Sequence, residues 1–97
     1  MEVKVTGPGE VTVLGDIESI DDYQKIKETV KGVVLSGNKS IVVKIPDAKS
    51  MTSMVIGFFL KLVKGDHLKI TMLVKDETLY SILKAMKLIA VLDVHKM

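Results

Sequence analysis

IVVKIPDAKSMTSMVIGFFLKLVK, residues 41–64, is the stretch on which the fold turns. Its first five residues are a β-branched apolar run broken only by Lys44, the pattern of a buried parallel strand. Pro46 has no N–H for a ladder and ends the run. Residues 46–49 (PDAK) make a short connector, and residues 50–64 read as a helix with hydroxyls at Ser50, Thr52 and Ser53 in its first turn. At about 100° per residue, Met51, Met54, Val55, Phe58 and Leu62 gather on one side, with Phe59 at its margin; these are expected in the core. Ser53, Gly57, Leu60 and Lys64 fall on the other side, flanked by Ile56 and Val63. A surface helix keeps one face polar. This one does not, so it is either deeply buried or meets another protein through its outer face.

Working outward, residues 2–6 (EVKVT) and 10–14 (EVTVL) alternate apolar with polar, as half-buried strands do. Gly7-Pro8-Gly9 supplies the turn of a hairpin between them. Ser19, three residues before Asp22, has the form of an N-cap. Apolar positions at Tyr23, Ile26, Val30 and Val33 or Val34 then mark one helix face, and Ser36-Gly37-Asn38 ends that helix. Downstream, Gly65-Asp66 stops the second helix and residues 68–74 (LKITMLV) form a strand. Asp76 caps a third helix over residues 77–88, with Leu79, Ile82, Leu83 and Met86 on one face. Residues 89–94 (IAVLDV) read as an edge strand, followed by a His95-Lys96-Met97 tail. The order β-β-α-β-α-β-α-β implies an α/β fold: right-handed crossovers, a mostly parallel sheet and an antiparallel N-terminal strand.

Ninety-seven residues, 47% hydrophobic and 27% charged, suit one globular domain spanning 1–97. The lack of cysteine rules out disulfides, thiolate metal sites and a cysteine nucleophile, and suits a cytoplasmic chain. All fourteen basic residues are lysine, scattered among acids for a net charge of +2. Without arginine forks or an aromatic stacking platform, nucleic acid is not an expected partner. No signal-peptide pattern opens the chain, and the apolar run 54–60 stops at Lys61, short of the ~20 residues of a membrane span, so no membrane insertion is expected. His67 and His95 lie in or beside turns without metal-ligand spacing, and Asp21-Asp22 and Asp76-Glu77 suit helix starts better than acid–base chemistry. A triad built on Ser53 lacks a nucleophile-elbow glycine pattern. The chain is therefore expected to have no catalytic residue, metal or cofactor, and to be a monomer or weak homodimer.

Two stretches resemble the STAS-domain family, the bacterial anti-sigma factor antagonists and their relatives. Leu14-Gly15-Asp16-Ile17-Glu18 is similar to that family's strand exit L-x-G-x-L-D, and residues 41–57 are similar, without a gap, to V-V-L-D-L-S-G-V-x-x-I-D-S-S-G-L-G. The resemblance covers nearly the whole chain and implies the same element order. It implies regulation of transcription by binding an anti-sigma factor that is also a serine kinase. That kinase phosphorylates the serine at the start of the second helix, and the phosphorylated form no longer binds. By position the phosphoacceptor is Ser53, with Thr52 a poorer candidate. The contact surface implied is Asp47, Ala48, Lys49, Ser53, Ile56, Gly57, Leu60 and Lys64. Thr52 and Lys44 stand where the pattern has acids, Met54 where it has a small residue and Val55 where it has glycine. Both acid positions are expected near the phosphoacceptor. A second reading from the same resemblance is a scaffold or ligand-binding STAS-like module, not phosphorylated, in a larger assembly or transporter complex.

Overall fold

The computed structural model describes residues 1–97. Strands β1 (Glu2–Gly7) and β2 (Glu10–Leu14) pair antiparallel, Val3 opposite Val13 and Val5 opposite Val11, with an irregularity between Val5 and Gly7. Their turn needs a left-handed residue, and Gly9 supplies it at φ 66°; a Cβ there would lie 3.0 Å from the Ser40 carbonyl oxygen. Helix α1 (Ile20–Leu35) begins with a full capping box: Ser19 Oγ accepts from the Asp22 N–H, and the Asp22 carboxylate accepts from the Ser19 N–H. It closes with Asn38 Nδ2 donating to the Val33 carbonyl at 2.9 Å and Gly37 at φ 99°. Next come β3 (Ser40–Ile45), α2 (Ser53–Lys64), β4 (Lys69–Val74), α3 (Glu77–Ala85) and β5 (Val94–Lys96).

The five strands lie in sequence order, β1-β2-β3-β4-β5, with β2 to β5 parallel. Each crossover steps in the same direction, and right-handed connections then place all three helices on one face. Burial agrees. Val11, Val13, Ile41, Val43, Ile45, Ile70, Met72 and Val74 are inaccessible or nearly so, whereas their neighbours Thr12, Val42, Lys44, Thr71 and Leu73 are half-buried. Strand β3 is thus covered on one side only, not on both as its apolar run suggests. Phe59, Leu79, Leu83 and Leu92 complete the core from the helical side. Burying side chains of this size contributes about 1.5–3 kcal/mol each relative to exposure.

The C-terminal region departs from the sequence-based expectation. Helix α3 stops at Ala85, because Lys87 takes φ 60° and a Schellman pattern closes the helix. The Leu88 N–H donates to the Leu83 carbonyl and the Lys87 N–H to that of Lys84. Residues 89–93 then form turns, with Leu92 N–H bonded to the Leu88 carbonyl, so Leu88 and Leu92 reach the core four residues apart, as on a helix. A short apolar run does not by itself distinguish period 2 from period 3.6. The strand begins only at Val94 and takes in His95 and Lys96, read above as a tail.

Two glycines of the α2 region have opposite surroundings. Gly57 lies mid-helix with open space where a Cβ would stand, while a Cβ at Gly65 would meet the Lys61 carbonyl oxygen at 2.8 Å. Gly57→Ala is expected to raise unfolding free energy by about 0.5–1 kcal/mol. Gly65→Ala is expected to lower it by about 1–3 kcal/mol. Urea denaturation of both variants checks the pair of signs.

Candidate functional site

Helix α2 starts at Ser53, three residues later than its hydroxyls suggest. Thr52 is the N-cap: its backbone is extended, its Oγ1 accepts from the Val55 N–H at 3.3 Å, and its carbonyl accepts from the Ile56 N–H. One hydroxyl therefore does the capping. Ser50 is exposed and outside the helix; Ser53 is exposed in the first helical position, and its hydroxyl joins none of the side-chain hydrogen bonds within the chain. The first turns of α1 and α3 carry acids, Asp21, Asp22 and Glu77. That of α2 carries none, although Lys61 and Lys64 occupy its last turn. The positive end of its dipole is uncompensated and lies beside a free serine hydroxyl.

The loop before the helix is held from below. The Gly15 N–H donates to Asp47 Oδ2 at 2.9 Å, tying the exit of β2 to the β3–α2 connector. Gly15 makes its turn at φ 86°. The two stretches that carry the family resemblance meet at this bond. Of the anticipated contact residues, Asp47, Lys49, Ser53, Gly57 and Lys64 are exposed and Leu60 is half-buried. Ala48 and Ile56 are 0% and 5% exposed, so neither belongs to an outer surface. Met54, expected in the core, is 48% exposed. The exposed arc of α2 is thus turned toward Met54 and Lys61, on the side of α1, and away from Ile56. Angular spacing gives the relative order of side chains around a helix; which arc stays open is decided by where α1 and the sheet lie.

Lys44 is also elsewhere than expected. Its Nζ pairs with Glu10 Oε1 at 3.2 Å on the sheet face away from the helices. That open face holds a polar array that sequence reasoning missed. The Thr6 hydroxyl donates to the Glu10 carboxylate at 2.6 Å and lies 2.8 Å from that of Thr12. On the other edge, the Asp93 carboxylate accepts from the Thr71 hydroxyl at 3.0 Å and lies 2.7 Å from His95 Nε2. The available signal was the alternation of Thr12, Lys44 and Thr71 with buried residues in three neighbouring strands. The two histidines do not approach Ser53. His67 follows the far end of α2, a helix of 12 residues and hence about 18 Å long, and His95 pairs with Leu73 on the open face. A hydrolase built on Ser53 therefore has no histidine base beside it.

No family model, curated protein or solved structure matches this chain. The resemblance to the STAS-domain family thus rests on the residues quoted above alone.

Three carboxylates have pKa values held below the ordinary range. For Glu10 the causes are the Thr6 hydroxyl and then Lys44; for Asp22, the Glu18 and Ser19 backbone N–H groups; for Asp93, His95 and then Thr71. A lowered folded-state value means the ionised form is favoured by folding. Its stabilisation is complete above the unfolded value of about 4 and is lost as pH falls through the folded one. The melting temperature is expected to hold between pH 7 and about 5 and to fall as the pH drops below about 4. A Glu10→Gln/Asp22→Asn/Asp93→Asn variant should melt lower at pH 7, with the gap closing in acid. A gap that stays constant down to about pH 2 would refute the assignment.

Proposed function

We propose that this chain is an anti-sigma factor antagonist, a binding domain whose contact with an anti-sigma factor/serine kinase is switched at Ser53. The observation that carries the reading is the division of labour at the start of α2, where Thr52 caps and Ser53 is left exposed and unengaged. A kinase that transfers the γ-phosphoryl of ATP to Ser53 Oγ would add about −1.5 to −2 charges beside Gly57 and Leu60. The added phosphate favours the uncompensated helix dipole while it opposes an apolar contact by desolvation. The contact surface consists of Ser53, Gly57, Leu60 and Lys64 with Asp47 and Lys49 from the loop. Lys44, on the opposite side of the sheet, leaves the surroundings of Ser53 untouched.

The non-switching scaffold is the second reading, favoured by Thr52: its hydroxyl is committed to the cap and it stands where the family pattern has an acid. One experiment separates them. Pull-down from native extract, with and without phosphatase, should recover a kinase partner only from the dephosphorylated sample, with phosphate mapped to Ser53 by mass spectrometry. Ser53→Asp should abolish that capture yet stabilise the isolated domain, by about 0.3–1 kcal/mol. Capture that is indifferent to phosphatase, with Ser53→Asp binding as wild type does, leaves the scaffold and removes the switch.

A further inference from the structure

The seam between α1 and α2 is open to solvent. A cavity of about 410 Å³ runs between them over Met54, Gly57, Phe58 and Leu62, and a second of about 340 Å³ continues it past Val34 and Leu35. The two share Lys31, Leu62 and Asp66, so they form one groove. From Tyr23 to Leu35 it follows α1 for about 18 Å, the length of some three helical turns. Its exposed apolar side chains are Met54, 48% exposed, and Leu35, 86% exposed, two of the six large hydrophobic side chains left in water, with the buried Phe58 and Leu62 beneath.

The rim is basic. Lys27 and Lys31 project from α1 and Lys61 from α2, against a single acid, Asp66. None of the three lysines is in an ion pair, since the lysine–carboxylate pairs of the chain are Lys4–Glu2, Lys44–Glu10 and Lys96–Glu77, although Lys27 Nζ lies 5.8 Å over the Tyr23 ring. Gly57 deepens the floor. Nothing in the protein occupies the space where its side chain would be, so internal packing does not require a glycine there. The chain carries the helix-weakening residue at a position that lines the groove and where a side chain would stand in open space.

From this we infer that the α1–α2 groove binds an acidic amphipathic helix of another protein, apolar side chains on the floor and carboxylates against Lys27, Lys31 and Lys61. Helix-in-groove recognition has this form, with anchors at i, i+3 or i+4 and i+7. A second copy of this chain does not fit, because a two-fold contact would set one basic rim, three lysines against one acid, upon another. The groove meets the proposed switch surface only at Gly57: Ser53 does not line it, and none of Lys27, Lys31 and Lys61 belongs to the switch surface, so the lysine reversals test the groove alone.

The test uses the full chain and a fluorescein-labelled helical peptide of about 18 residues, with leucine at i, i+3, i+4 and i+7 and glutamate on its flanks. It should bind the wild type about tenfold or more tightly than the same peptide with lysine for glutamate, or with its leucines scrambled. Binding should weaken with salt and shift the NMR methyl signals of Met54 and Leu35. Lys27→Glu/Lys31→Glu/Lys61→Glu and, independently, Gly57→Phe should each reduce affinity about tenfold or more, with thermal melts showing both variants folded. Gly57→Ala provides a second, fold-preserving probe should Gly57→Phe not fold. Equal binding of the acidic, basic and scrambled peptides would overturn the proposal. So would binding that survives the lysine reversals. Anionic phosphatidylglycerol vesicles, if captured through the same lysines while the acidic peptide is not, would assign the surface to a membrane and likewise overturn it.

Discussion

Three crossovers that all step the same way across a sheet of five strands put every helix on one side. From that constraint the rest follows. The covered face takes the β-branched row of β2, β3 and β4, while the uncovered face must be solvated and so carries Thr12, Lys44, Thr71 and Asp93. The middle helix sits over the sheet beside α1 and is buried along most of its circumference. Its high apolar content is mostly a matter of position: Val55, Ile56, Phe58, Phe59 and Leu62 all enter the core. Only the remainder, around Met54 and Gly57, needs an explanation from outside the chain.

Much of this architecture was legible where local chemistry and tertiary burial agree. Ser19 reads as an N-cap and is one, with Asp22 completing a capping box; the Gly7-Pro8-Gly9 turn makes the hairpin; Asp76 caps α3. The reading failed where a pattern has two solutions. IAVLDV alternates well enough for a strand, yet the left-handed backbones of Lys87 and Asp93 fold it into turns that deliver Leu88 and Leu92 to the core. No side-chain code forces a lysine or aspartate into that conformation, so the turn has no signature of the kind glycine provides. For the site, the chemistry of Ser53 was visible but not its availability. That depended on which of three hydroxyls would take the cap, and on which arc of α2 the neighbouring helix would leave open.

The bond from Gly15 to Asp47 links these levels. A carboxylate in one loop satisfies a backbone donor in another, so the connectors above β2 and β3 are held as a unit rather than as two independent loops. Ser53 is presented by a short segment without regular structure, residues 50–52, leaving that unit, with Thr52 extended. Its approach is fixed by the cap at one end and the tether at the other.

The ends of the sheet have a consequence of another kind. An unpaired strand edge is a template on which a second chain can grow, and an open sheet offers two such edges. Here β5 is only three residues long and ends with Lys96, whose ammonium pairs with Glu77 and faces the Tyr80 ring at 6.0 Å. On the opposite border β1 carries the Lys4–Glu2 pair and an irregularity next to Gly7. A brief edge on one side, and charge with a broken register on the other, leave little continuous ladder for intermolecular growth. The domain can therefore display apolar side chains on its helices without also inviting polymerisation through its backbone.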